Sequence, residues 1–221
     1  NSFLDMLELK DEDWMKECQA TYKLGIKFSD FYAKDDVYYY PFGVKDTQNT
    51  QAGVTDWYVK KTLNPDISKL DFYNSLYSCM PFIYDNKIYD NADGQLPNFS
   101  WRTDVAYHVD AIQFGHMLRD KVAIPNGVVH IKEEIADVVM DVEGYVDSIK
   151  LSNGDHLGAA LFIDCTGFQS LLLGSKFEAH FEKFRDWLPN TKAIACHVEY
   201  NDKELEMENV TNCTGWNNGW C

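Results

Sequence analysis

Residues Leu161 to Leu173 read LFIDCTGFQSLLL, an apolar run that ends in Asp-Cys-Thr-Gly and restarts as a second apolar segment. An uninterrupted apolar run suits a strand buried on both faces, and a glycine just after it lets backbone turn tightly or approach a ligand. Working outward, Asn153-Gly154-Asp155 turns the chain toward this run, and Val128 to Ile131, Ile135 to Val142 and Tyr145 to Leu151 are strand candidates. Glu143-Gly144 makes a hairpin turn between the last two. Before them, Ile112, Phe114, Met117 and Leu118 give Asp110 to Lys121 one apolar helical face.

Nearer the start, Trp14, Met15, Cys18, Tyr22 and Ile26 recur at helical spacing behind an acidic first turn, so Asp11 to Ile26 is expected to be a helix. Phe28 to Gly43 is crowded with aromatics around Lys34-Asp35-Asp36, which predicts two short strands and a polar turn. Residues 44–100 are rich in Asn, Asp, Gly and Pro, with helices expected at Trp57 to Leu63 and Leu70 to Met80. The order of helix, strands and buried strand is that of a nucleotide-binding α/β unit.

The 35 acidic residues outnumber 20 basic ones, and a net charge of -15 repels nucleic-acid backbones and anionic lipid surfaces. No apolar run approaches the roughly 20 residues of a membrane span, and no signal-peptide pattern opens the chain, so a cytoplasmic location is expected. Six dispersed cysteines and six histidines show no ligand spacing, which disfavours a metal site. No Gly-x-Ser-x-Gly elbow supports a hydrolase. Sequons at Asn98, Asn209 and Asn212 would matter only in a secreted protein. The absence of an initial methionine and the abrupt ending at Trp220-Cys221 predict an internal fragment.

The stretches YHVDAIQFGHMLRD (Tyr107 to Asp120), GVVHIKEEIADVVMD (Gly127 to Asp141) and GAALFIDCTGFQSLLL (Gly158 to Leu173) resemble the middle of a flavin-dependent tryptophan halogenase. DWMKECQATYKLGIKF (Asp13 to Phe28) resembles the family segment carrying the catalytic lysine, which falls on Lys23. NNGW (Asn217 to Trp220) resembles the opening of the Gly-Trp-x-Trp-x-Ile-Pro signature. The resemblance implies an α/β, Rossmann-like FAD/NAD(P)-binding fold of the flavoprotein monooxygenase type with an inserted substrate-binding region, incomplete at both ends. Residues 1–100 would carry the substrate side and the lysine, 101–173 part of the FAD-binding domain, and 174–221 the start of a second substrate-side segment. The Gly-rich fingerprint and the catalytic glutamate of the family have no match here.

That family chlorinates or brominates aromatic substrates with FAD, supplied reduced by a separate flavin reductase, and with halide and O2 as co-substrates. Hypohalous acid is guided through the enzyme to an indole or tryptophan-like ring. The resemblance makes Lys23 the hydrogen-bond donor or haloamine carrier; a lysine desolvated among Tyr22, Ile26 and Phe28 would have its pKa pulled down. Lys27, on nearly the same face of the expected helix, is its rival. Phe42 and Trp220 match aromatics that flank substrate and separate it from flavin. Tyr40 stands where tryptophan-specific members carry histidine, which opens the substrate to other arenes. Ile135 matches a backbone contact to FAD, and Asp164 and Gly167 sit at the junction expected beside the cofactor. His108 and Asp110 are expected to be structural residues beginning a helix. A homodimer is open. The alternatives are a hydroxylating flavoprotein monooxygenase and a non-catalytic FAD-fold binding protein.

Overall fold

The computed structural model describes residues 2–43, 50–88, 99–100 and 104–221. Asn98 of the first sequon lies outside the described residues. Two compact units emerge, Asn1–Asn126 with Cys196–Cys221, and Gly127–Ala195.

In the first unit, helices α1 (Ser2–Met6) and α2 (Asp11–Trp14) lead into strand β1 (Thr21–Lys23) and, after Leu24 alone, β2 (Gly25–Ser29). The expected helix over Asp11 to Ile26 is therefore corrected: one turn of helix forms, then two strands. The spacing of Trp14, Cys18 and Tyr22 is four residues, an even number that satisfies strand alternation as well as a helix. Tertiary pairing decides between them. β3 (Val37–Pro41) follows the predicted polar turn, then α3 (Thr50–Leu63), α4 (Lys69–Leu76), α5 (Met80–Tyr84), β4 (Ala106–His108) and α6 (Ala111–Met117). α6 widens into a π-helical turn over Leu118–Ala123.

β1 and β4 form an antiparallel ribbon, with Thr21 opposite His108 and Lys23 opposite Ala106. The order of the larger sheet is completed by elements of the second unit's far side in sequence: β5 (Ile135–Met140), β6 (Val146–Leu151) and β7 (His156–Gly158) belong to that unit, whereas α7 (Lys203–Glu206), β8 (Val210–Trp216) and β9 (Gly219–Trp220) return to the first. β8 lies parallel to β2 and gives a four-stranded sheet ordered β3, β2, β8, β9. A Cβ on Gly25 would lie 2.9 Å from the Tyr40 carbonyl oxygen, so only glycine lets β2 and β3 close at this point.

Two apolar clusters hold this unit. Leu24, Cys79, Met80, Ile83, Val105 and Val210 are buried together beneath the sheet. Leu4, Trp14, Cys18 and Met117 form the second, where Trp14 meets Tyr107 edge-on at 4.9 Å and Phe114 at 5.2 Å.

In the second unit, β5, β6 and β7 make an antiparallel meander in that order. The Glu143-Gly144 and Asn153-Gly154 turns lie where the residues predict them, with positive φ at both glycines. Val128 to Ile131 forms no strand and is exposed. Leu161 to Ile163 is not the expected buried strand either: Leu161 is 74% and Ile163 78% exposed. A strand buried on both faces needs hydrogen-bonded neighbours and covering layers, and among the described residues nothing pairs with this segment.

Candidate functional site

Lys23 ends β1 as a half-buried side chain, and its Nζ stands over the Phe42 ring, 5.6 Å from the centroid. Two backbone bonds fix that approach. Leu24, the residue crossing from ribbon to sheet, donates its N–H to the Asn209 carbonyl at 2.7 Å and accepts from the Phe42 N–H at 2.8 Å. The Phe42 carbonyl accepts from the Cys79 thiol at 3.3 Å, and burial pushes that thiol's pKa up to about 11, so it remains protonated and donating near neutral pH. Tyr40, 63% exposed, meets Phe42 edge-on with centroids 6.4 Å apart. Lys23, Phe42 and Tyr40 thus converge.

Lys27 takes a different place. It lies on β2 opposite Tyr39 and Asn212, and its Nζ is 3.8 Å from Glu208 Oε1. Lys23 therefore faces an aromatic ring while Lys27 faces a carboxylate.

Trp220 pairs with Gly215 on the β8–β9 hairpin, beside Asp30 and Lys34, and is 60% exposed. β2 and β8 run parallel from Gly25 and Val210, so this hairpin is at the opposite end of the strand from Lys23, about 20 Å away along an extended chain. The described fold does not bring Trp220 to the Lys23 and Phe42 group.

Behind Lys23, Tyr22 and Tyr107 share the other face of the ribbon, and both hydroxyls donate to Asp11, at 2.9 and 2.7 Å. Burial first, then the Asp11 carboxylate, raises the Tyr22 pKa to about 12 and raises that of Tyr107 as well. His108 is the last residue of β4 rather than the start of a helix, and its Nε2 lies 3.0 Å from Thr211 Oγ1. Asp110 is the structural cap expected, accepting from the Ile112 and Gln113 amides at 3.0 Å. Asn209 holds the junction from below: its Nδ2 donates to the carbonyls of Phe82 (2.9 Å) and Lys87 (2.8 Å), and its backbone N–H to Asn86 Oδ1. Sequence reasoning missed Asp11, His108 and Asn209 as supports of Lys23. Asn209 and Thr211 were visible only as a glycosylation sequon, which a buried and bonded Asn209 contradicts as a surface site.

The residues matched to FAD contacts all fall in the second unit. Glu134 gives its carbonyl to the Ser152 amide, so the next residue, Ile135, turns its own amide and carbonyl toward the outer edge of β5, where no described strand pairs. Gly167 has φ +63°, and nothing lies within 4 Å of where a Cβ would be. Asp164 accepts from the Thr166 amide and hydroxyl and from the Leu172 and Leu173 amides. Those bonds hold its pKa down at about 2, and they commit the carboxylate to its own turn. An open backbone edge and an uncrowded glycine fit a nucleotide cofactor; Asp164 fits a cap.

The sequence profile of the tryptophan halogenase family matches residues 1–221. The chain belongs to the tryptophan halogenase family. It is similar to tryptophan 7-halogenase RebH of Lentzea aerocolonigenes, 27% identical across 99% of this chain and 42% of the relative. Similarity to tryptophan 6-halogenase ThaL of Streptomyces albogriseolus is 25%, across 99% of this chain and 43% of the relative. The apo structure of VirX1 superposes with a TM-score of 0.92 at 39% identity, covering 99% of this chain and 43% of that one. BrvH, a flavin-dependent halogenase from Brevundimonas sp. BAL3, superposes at 0.80 with 26% identity, covering 99% and 44%. The mixed α/β fold is thus that of flavin-dependent halogenases, and the chain spans less than half the length of these family relatives. Among the described residues no helix is long and apolar enough to cross a membrane.

Proposed function

We propose that residues 1–221 are part of a longer FAD-dependent halogenase that chlorinates or brominates an indole-like arene, with Lys23 guiding hypohalous acid to a ring held against Phe42. The observation that supports this best is the Lys23 Nζ over the Phe42 face. Phe42 offers a flat wall for a flat substrate. The Lys23 ammonium donates a hydrogen bond to the hypohalous oxygen, which makes the halogen more electrophilic. A ring carbon then attacks the halogen, the oxygen–halogen bond breaks, the leaving hydroxide takes a proton from the Lys23 ammonium to form water, and the arenium carbon gives up its ring proton to solvent, which restores the aromatic ring and returns a proton to Lys23. Half-burial packs the Lys23 stem while leaving its Nζ over the Phe42 ring, able to reach an arene held there.

FAD, delivered reduced by a separate flavin reductase and reacting with O2, would supply the oxidising equivalent that turns halide into hypohalous acid. Ile135 through its edge backbone and Gly167 through its open turn would hold part of that cofactor, with Asp164 shaping the turn. Residues 101–173 would then carry the FAD side, and 1–100 and 174–221 the substrate side, with β4 standing with the latter through its pairing to β1. The exposed run Leu161 to Ile163 would join a parallel sheet completed by the remaining length that the relatives possess. The family signature would assign Trp220 to substrate enclosure, but its place on the far hairpin leaves it outside the Lys23 and Phe42 group; exposed Tyr40 suits an arene other than free tryptophan.

The test combines the full-length protein with a flavin reductase, halide and indole. A product mass gain of one chlorine or bromine is expected, and Lys23→Ala should lower turnover at least about a hundredfold, the scale expected for a misplaced reacting group. Oxygen incorporation indifferent to halide would instead identify a hydroxylating monooxygenase, and absence of FAD binding a non-catalytic protein.

A further inference from the structure

Antiparallel partners share a sheet face, so the register of β1 and β4 puts Thr21, Lys23, Ala106 and His108 on one face of the ribbon and Tyr22 and Tyr107 on the other. His108 is diagonal to Lys23 across this face, within reach of long side chains. Its ring also leaves the ribbon. Nε2 meets the Thr211 hydroxyl of β8 at 3.0 Å, and Thr211 is the strand partner of Ile26. The bond therefore ties the ribbon carrying Lys23 to the sheet that leads to Phe42. Lys23 lies one residue before the crossing at Leu24, where a change in the angle between ribbon and sheet would swing Nζ relative to the Phe42 ring.

We infer that His108 is a positioning residue for Lys23, acting as a neutral imidazole braced by Thr211, an assignment that rests on the halogenase reading for its consequence in catalysis. Burial, and then the nearby Lys23 charge, lower the His108 pKa, which keeps the ring neutral near neutral pH. Protonation places a second cation on the face that carries the ammonium. The other titratable groups around the ring line the cavity of about 760 Å³ on its open side: Lys16, Asp110, His197, Tyr200 and Lys203. β8 presents the Thr211 hydroxyl.

The experiment uses the full-length protein grown on lysine labelled with ¹³C at Cε, with the Lys23 signal assigned by its loss in Lys23→Arg. That signal should show an inflection below the ordinary histidine range, and the inflection should vanish in His108→Gln while persisting in His197→Gln. In turnover assays His108→Phe and Thr211→Val should lower kcat about tenfold or more, with the arene KM unchanged. His108→Gln, which retains a side-chain hydrogen bond to Thr211, should keep kcat and lose the acid limb of its pH profile. Should His108→Phe fail to fold, Thr211→Val, which leaves the imidazole in place, decides. A Lys23 inflection that survives His108→Gln, or that disappears in His197→Gln, overturns the inference whatever the product. An inflection that follows His108 in a protein that never halogenates leaves the coupling standing and overturns the halogenase reading.

Discussion

At the scale of the residue, the supports of Lys23 matter as much as Lys23. Asn209 is 6% exposed and donates to the carbonyls of Phe82, within α5, and Lys87, just beyond it, while its own carbonyl accepts from the Leu24 amide. Truncation removes both side-chain hydrogen bonds of a buried amide and leaves its space unfilled, so Asn209→Ala is expected to cost about 2–3 kcal/mol in a denaturant titration, whereas exposed Asn212→Ala should stay within about 0.5 kcal/mol. The same measurement should find Asn209→Asp worse than Asn209→Ala, because a carboxylate would face two carbonyl oxygens. Lys23, Phe42 and Tyr40 were named from the segments that resemble the family. Asp11, His108 and Asn209 carry no motif: their roles arise from tertiary contacts, Asp11 joining Tyr22 to Tyr107, His108 meeting Thr211 and Asn209 meeting Leu24.

At the scale of the element, the ribbon β1–β4 has two faces with opposite chemistry. One carries Lys23 and His108; the other sets Tyr22 against Tyr107, rings tilted by 39° with centroids 5.7 Å apart, and directs both hydroxyls to Asp11. A phenol whose folded pKa lies above its unfolded value near 10 stabilises the fold fully below pH 10 and loses that contribution as pH rises toward the folded value, about 12 for Tyr22. Alkaline unfolding is therefore expected to begin between pH 10 and 12. Tyr22→Phe combined with Tyr107→Phe should flatten that limb of stability against pH, as followed by far-UV circular dichroism. The predicted helix over Asp11 to Ile26 failed at this same scale. Even spacing of its apolar residues fits both periods, and pairing to β4 and β8 favours the strand.

At the scale of the molecule, the two units are built differently. The first has two buried apolar clusters, whereas in the second only the meander around Val138, Ser148 and Leu151 is buried. Phe181, Trp187 and Ile194 are 78%, 74% and 94% exposed. Amides that lack ladder partners and apolar cover open at little cost. In hydrogen exchange on the 221-residue chain, Leu24, Ile83 and Val210 should be protected and the β5–β6 hairpin intermediate. Residues 177–195 should exchange at nearly unfolded rates; protection there equal to that of Val210 would contradict this account of where stability lies.

The chain by itself determined its family, its turns and the identity of the residues gathered at Lys23. These depend on local order: a hairpin needs only Glu143-Gly144 and its neighbours, and a motif needs only its own residues in series. Tertiary structure decided whether Lys23 sits on a strand, that Lys27 faces Glu208, that Trp220 lies at the far end of the sheet, and that Asp164 serves its own turn. It also decided the fate of LFIDCTGFQSLLL. Burial of Leu161 to Ile163 is a property of what pairs with and covers the segment, and an apolar run encodes the demand for such neighbours without supplying them.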